Sequence, residues 1–149
     1  MRPDIPVGLT VSVAEGREAR ALCLAVRREV FIDEQGVSAP EEVDGLDDAC
    51  IHLLAMQGDA VIGAARIRPL DGIAKIQRVC VRKDRRGTGA GAAIMRFAID
   101  FARRDGRFGT VVLGAQTHAL DFYRKFGFTE YGEEYLDAGI PHRDMTLSL

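Results

Sequence analysis

The chain has 149 residues, of which 47% are hydrophobic and 28% charged. This is the mixture of one globular domain large enough to bury a core, not of a disordered chain. Its formal net charge of −2 argues against a dedicated nucleic-acid binder, which carries a strongly basic face; no apolar run reaches the roughly 20 residues that cross a bilayer, and "MRPDIPVGLTVSVAEG", with Asp4 and two prolines, lacks a signal peptide's apolar core, so a cytoplasmic protein away from membranes is expected.

In chain order, Val7 to Val13 alternates and reads as a strand. "REARALCLAVRREVF" places Ala19, Leu22, Cys23, Val26 and Val30 on one helical face. The following "EQGVSAPEEVDGLDD" is an acidic loop with a proline and two glycines. "CIHLLAM", "AVIGAARIRPL" and "IAKIQRVCVR", joined by the turns "QGD" and "DG", read as an antiparallel meander. A long helix is expected from about Gly89 to Arg104, with Ala93, Ile94, Phe97, Ala98 and Phe101 inward. "GTVVLGA" reads as a strand buried on both faces. "THALDFYRKF" reads as a short helix with Ala119, Phe122, Tyr123 and Phe126 on one face, closed by Gly127. Two last strands lie near "TEYGEEYL" and "RDMTLSL". The order predicts a single α/β domain over residues 1–149 with a mixed sheet. Cys23, Cys50 and Cys80 are widely spaced with no CxxC pair, which suggests reduced thiols and no metal or disulfide framework.

The segment with most chemistry is "RKDRRGTGAG", which follows the strand "VCV" and opens the long helix. A helix N-terminus offers unpartnered N–H groups and partial positive charge. Glycines let the backbone approach a ligand, so the segment can cradle an anion such as a phosphate. Arg82, Lys83, Arg85 and Arg86 stand around it against only Asp84. No Gly-Lys-Ser/Thr follows, as a Walker loop requires, and the spacing is not that of a dinucleotide-binding fingerprint. The bland alternative is a glycine-rich turn with a solvated basic face.

Arg86-Gly87-Thr88-Gly89-Ala90-Gly91 resembles the Q/R-x-x-G-x-G/A signature of the GNAT family (GCN5-related N-acetyltransferases). "FYRKFGF" resembles a second segment of that family, in the same order and at the usual separation. "VRREVFIDEQGVSAPEEVDGLDD", "ARIRP", "LGAQTHALDFY" and "GIPHRDM" extend the likeness to its ElaA/YjcF-type subgroup, from about Val26 to the end of the chain.

The resemblance implies a mixed, mostly antiparallel sheet of six or seven strands with about four helices, and a bulge that splays the fourth strand from the fifth. It implies acetyl-CoA as co-substrate and no metal. The amides of Arg86, Gly87, Thr88, Gly89, Ala90, Gly91 and Ala92 would hold the pyrophosphate. The main chains of Val79 and Val81 would pair with the pantetheine arm, and Gln116 stands where many relatives carry an arm-contacting Asn. Tyr123 aligns with the family's general acid, which protonates the leaving thiolate; spacing alone favours a core aromatic, and it is the resemblance that gives it the catalytic role.

The acceptor would be an amine, a small molecule or a protein amine. The base is unassigned. Glu34 and Asp44 in the acidic loop, with Glu41, Glu42, Asp47 and Asp48, would form an acidic wall that attracts a cationic amine. His52 and His142 are candidates for a base or for shaping the pocket; His118 is expected on the outer face of its helix. Arg66 and Arg78 would either pair with the loop carboxylates or bind an acidic acceptor. The rival reading is a non-catalytic acyl-CoA-binding sensor. A nucleotide-binding kinase is disfavoured by the missing metal-ligand motif. Family members are often dimers, so a homodimer stays open.

Overall fold

The computed structural model describes residues 7–149; the reading of the segment around Asp4 lies outside them. Seven strands form one sheet, in spatial order β1-β2-β3-β4-β5-β7-β6. They are β1 (Leu9–Val13), β2 (Ile51–Gln57), β3 (Ala60–Leu70), β4 (Ile73–Val81), β5 (Thr110–Gln116), β6 (Thr129–Asp137) and β7 (Ile140–Ser148). Each neighbouring pair is antiparallel except β4–β5, which is parallel. The helices are α1 (Gly16–Arg27), α2 (Ala39–Glu42), α3 (Ala90–Asp105) and α4 (Leu120–Arg124). α1 continues as a wider π-type turn over Arg28–Glu34. The expected fold class is observed, bulge and splay included.

The meander forms because its turns carry residues that tolerate positive φ. Gly72 at +70° closes the β3–β4 hairpin after Asp71. α3 covers one face with a run of small side chains. Ala90, Ala98 and Ala102 are fully buried beside Ile94 and Met95, so this helix lies close on the sheet. Gly63 on β3 meets it: a Cβ there would come 3.0 Å from Ile94 Cδ1 and 2.5 Å from the Cys80 carbonyl oxygen. The opposite face is covered by α1, whose Cys23 and Val26 pack with Val30, Leu54, Ala64 and Cys80.

Four expectations are corrected. Leu22 is exposed, because α1 turns Cys23, Val26 and Arg27 toward the sheet instead. Phe97 and Phe101 are only partly buried, because α3 buries Met95 and Ile99 and leaves the two rings leaning toward the β1 edge. β5 is not covered on both faces. Val111, Leu113 and Ala115 are buried under α3 and α4, while Gly114 is exposed on the face that α1 does not reach. β7 also begins earlier than expected, at Ile140, which places His142 in the sheet.

Candidate active site

The centre of the site is a defect in β4. Its pairing with β3 runs Ala64↔Cys80 and then Arg66↔Gln77, so two β4 residues, Arg78 and Val79, oppose Ala65 alone. Arg78 takes φ +57°, the left-handed conformation that ends regular pairing here. Pairing between β4 and β5 stops at Ile76↔Leu113. Beyond it the strands diverge and open a cleft of about 370 Å³. Arg82 N–H donates to Ile62 O at 2.8 Å. By the alternation of antiparallel pairs, the Val81 main chain then points away from β3, toward the cleft. The Val81 carbonyl accepts from Arg86 Nε at 3.0 Å, and the Val81 N–H faces the same side.

The glycine loop stands where this strand ends. Gly87 and Gly89 have φ of +75° and +92°, and a Cβ on either would meet nothing within 4 Å. These Cβ positions look into open space at the first turn of α3, so side chains there would fill an anion cradle. Gly89 is the N-cap of α3 and caps no N–H with a side chain, so the first-turn donors stay available. Thr88 Oγ1 donates to Arg85 O at 2.6 Å and holds the loop. Gly91 brings the first turn against α4: a Cβ there would lie 3.4 Å from Phe122 Cζ. The loop residues Arg86, Gly87, Thr88, Gly89, Ala90, Gly91 and Ala92 thus surround one open helix end, which fits a pyrophosphate.

Tyr123 lines the cleft from α4. Burial pushes its phenol up to about 12, so it remains a proton donor at neutral pH. Its ring is held edge-on by Phe122 and Phe128. Gln116, at the end of β5, accepts from His118 Nε2 at 2.7 Å and donates to Gln35 Oε1 at 3.2 Å. Gln35 follows the π-type turn, so this chain of polar groups bridges the two sides of the cleft.

The acidic loop is not an open acidic wall. Arg27 bonds Glu42 Oε1 at 2.9 Å and Asp47 Oδ1 at 2.8 Å. Arg66 bonds Asp47 Oδ1 at 2.8 Å and Asp44 Oδ2 at 2.5 Å. Arg78 closes the ring, with Nη2 3.4 Å from Asp44 Oδ2 and Nε 2.8 Å from Glu42 Oε2, the last an ion pair off hydrogen-bond alignment. Three arginines and three carboxylates alternate, with Arg27 and Arg66 at 0% exposure. Hydrogen bonds from Arg66 hold the Asp44 carboxyl well below the ordinary carboxylate range. Burial pushes Asp47 up, but hydrogen bonds from Arg27 and Arg66 outweigh it and hold it low. Arg78 also donates to the Glu41 and Glu42 carbonyls, both at 3.2 Å. It therefore ties α2 to the β4 bulge. Glu34 pairs through both oxygens with Arg86, at 2.5 and 2.7 Å, and this hydrogen bonding lowers its pKa.

Of the acceptor-side candidates, Arg78 and His142 line the cleft, whereas Glu34, Asp44, His52 and Arg66 do not. His52 is buried under the loop and donates Nε2 to Asp47 O at 2.9 Å; its Nδ1 is buried without a partner. Sequence reasoning missed Arg27, Tyr135 and Gly114. Arg27 had a signal: it falls four residues after Cys23 on the apolar face of α1. Tyr135 and Gly114 had none, because their meeting crosses three strands.

Comparison with known proteins agrees with this geometry. The family model for the acetyltransferase (GNAT) domain matches residues 18–149. The uncharacterised N-acetyltransferase YjcF of Bacillus subtilis is 42% identical over 89% of this chain and 95% of its own length. The crystal structure of an acyl-CoA N-acyltransferase from Pseudomonas aeruginosa superposes with a TM-score of 0.80 at 31% identity, covering 93% of this chain and 97% of that one. That of Escherichia coli ElaA superposes with a TM-score of 0.83 at 28% identity, covering 93% and 98%. With its bulged fourth strand, its open cradle at α3 and a family match that spans both, the chain belongs to the GNAT acetyltransferase family.

Proposed function

We propose that the protein is an N-acetyltransferase that moves an acetyl group from acetyl-CoA to a primary amine by direct attack in a ternary complex. The observation that carries this reading is the convergence of the cradle, the splayed β4 edge and Tyr123 on one cleft. Acetyl-CoA supplies an activated thioester when bound. The amides of Arg86 to Ala92 bind its pyrophosphate, with Gly87 and Gly89 leaving the approach open. The Val79 and Val81 main chains orient the pantetheine arm as a strand would. The Val81 N–H stabilises charge developing on the carbonyl oxygen. Tyr123 gives its proton to the departing sulfur, and Gln116 lies at the arm's edge of the cleft.

The amine enters from the side walled by α2, β6 and β7. Because the loop carboxylates are paired with arginines, they position α2 rather than attract a cation. Arg78 belongs to this wall. Most of the acceleration comes from holding two substrates in line. A small-molecule amine fits a cleft of about 370 Å³; a protein's amine would enter as a side chain or terminus.

The test is acetyl-CoA binding by calorimetry, then free-thiol release against a panel of primary amines. Binding with release on one amine class supports the transferase. Binding without release from any amine refutes it, and no binding refutes the cradle.

A further inference from the structure

We propose that His142 is the general base that takes the acceptor amine's proton through Nε2, and that Tyr135, Asp144 and Gly114 are positioning residues that set its ring. The proposal rests on the transferase reading and assigns the proton that reading leaves without a destination.

His142 sits in β7 opposite Gln116 of β5 and Tyr135 of β6. Residues paired in this way share one face of the sheet, and all three line the cleft. His142 Nδ1 lies 2.7 Å from the Ile140 carbonyl oxygen. A carbonyl only accepts, so Nδ1 carries the proton, and in the neutral ring Nε2 holds the free lone pair. This is the state a base requires. His52 is the contrast: its free nitrogen is buried outside the cleft.

The ring is held on its flat side. The Tyr135 ring stacks on it at 24°, with centroids 5.9 Å apart. The Tyr135 hydroxyl in turn donates to Asp144 Oδ1 at 2.6 Å. The Tyr135 side chain reaches from β6 over β7 and sets this hydroxyl above Gly114 of β5, a position open because residue 114 has no side chain: a Cβ there would stand 2.5 Å from Tyr135 Oη. Gly114, Asp144 and Tyr135 thus form a socket whose product is the orientation of His142.

The step balances. The amine lone pair forms the N–C bond, and the C–S pair leaves with sulfur. The nitrogen's proton passes to His142 Nε2, and the Tyr123 proton passes to sulfur. Water returns the proton from His142 to Tyr123, leaving amide and free thiol.

Two measurements test this. The first needs no substrate: ¹⁵N NMR of the neutral His142 ring should show the Nδ1–H tautomer, which Gly114→Ala perturbs by displacing Tyr135. An Nε2–H ring overturns the assignment. The second uses the panel amine of highest turnover. His142→Ala should lower kcat/KM about 100-fold or more, the lower end of what acid–base catalysis contributes, with acetyl-CoA affinity unchanged. Added imidazole should restore part of the rate, as loss of a merely structural ring would not allow.

The titratable and charged groups around His142 are Tyr135 and Asp137 of β6, Asp144 of β7, Glu41 and Glu42 of α2, Lys75, Arg78 and Cys80 of β4, Arg86 of the glycine loop, Tyr123 of α4 and His118 beyond β5. The ratio of wild-type to His142→Gln rates should fall toward one as acid protonates the base. His118→Gln should keep the wild-type pH dependence. Transfer by His142→Gln within threefold of wild type overturns this assignment alone. Failure of the wild-type protein on every amine overturns the transferase reading and this assignment with it, even with the tautomer as expected.

Discussion

Arg27→Met removes one corner of the buried charge ring and shows what the ring contributes. Methionine retains most of the aliphatic volume but none of the donors. The guanidinium is fully buried and donates to Asp47 Oδ1 at 2.8 Å and to Glu42 Oε1 at 2.9 Å. Hydrogen bonds to charged groups contribute about 1.5–3 kcal/mol each, and stripping one partner from a buried pair costs about 3–5 kcal/mol. Asp47 keeps Arg66 and Glu42 keeps Arg78, so neither carboxylate is left bare. A loss of about 3–4 kcal/mol is expected, and at about 2–4 °C per kcal/mol this lowers Tm by roughly 10 °C. Urea and thermal unfolding followed by circular dichroism measure it. Acid adds a second signature. Asp44 and Asp47 have depressed pKa values in the folded protein, so their contribution is present above the unfolded carboxylate value of about 3.9 and is lost as pH falls. In Arg27→Met, burial still pushes Asp47 up while one of its donors is gone, so acid unfolding should begin at higher pH. A loss below about 1 kcal/mol, with an unshifted acid transition, would refute the idea that pairing holds α2 in place.

Gly89→Glu places a carboxylate at the open N-terminal end of α3 and should weaken acetyl-CoA binding at least about 100-fold by calorimetry, since it neutralises the helix's partial positive end and repels the bound pyrophosphate; unchanged affinity removes the cradle. Tyr123→Phe should lower kcat about 100-fold or more with unchanged acetyl-CoA affinity, and wild-type turnover would end the general-acid role. Gly63→Ala puts a methyl against the Cys80 carbonyl, a backbone atom that cannot rotate aside; a loss of about 1–3 kcal/mol is expected in urea unfolding, and a neutral result would mean that β3 and β4 separate freely there.

The order of elements was legible in the chain because local signals reported it: alternation in the meander, helical spacing after the glycine loop, and turn residues between strands. The cradle was legible for the same reason, since Arg86 to Gly91 is one contiguous segment whose chemistry is that of its own backbone. The acceptor side was not. Glu34, Asp44, Arg66 and Arg78 read equally as a substrate site or as ion pairs until folding set their distances, and folding made most of them into a buried ring and a clasp at the cradle. The pleat of β5 was misread because local hydrophobicity cannot report that α1 stops short of that strand. His52 and His142 look alike in the sequence. Only the tertiary structure separates them, by sealing one free nitrogen beneath a loop and turning the other ring into the cleft over a tyrosine that a glycine two strands away lets lie flat. Contiguous segments carry their own geometry, whereas a site assembled across α2, β5, β6 and β7 exists only once long-range pairing has decided which side chains share a face.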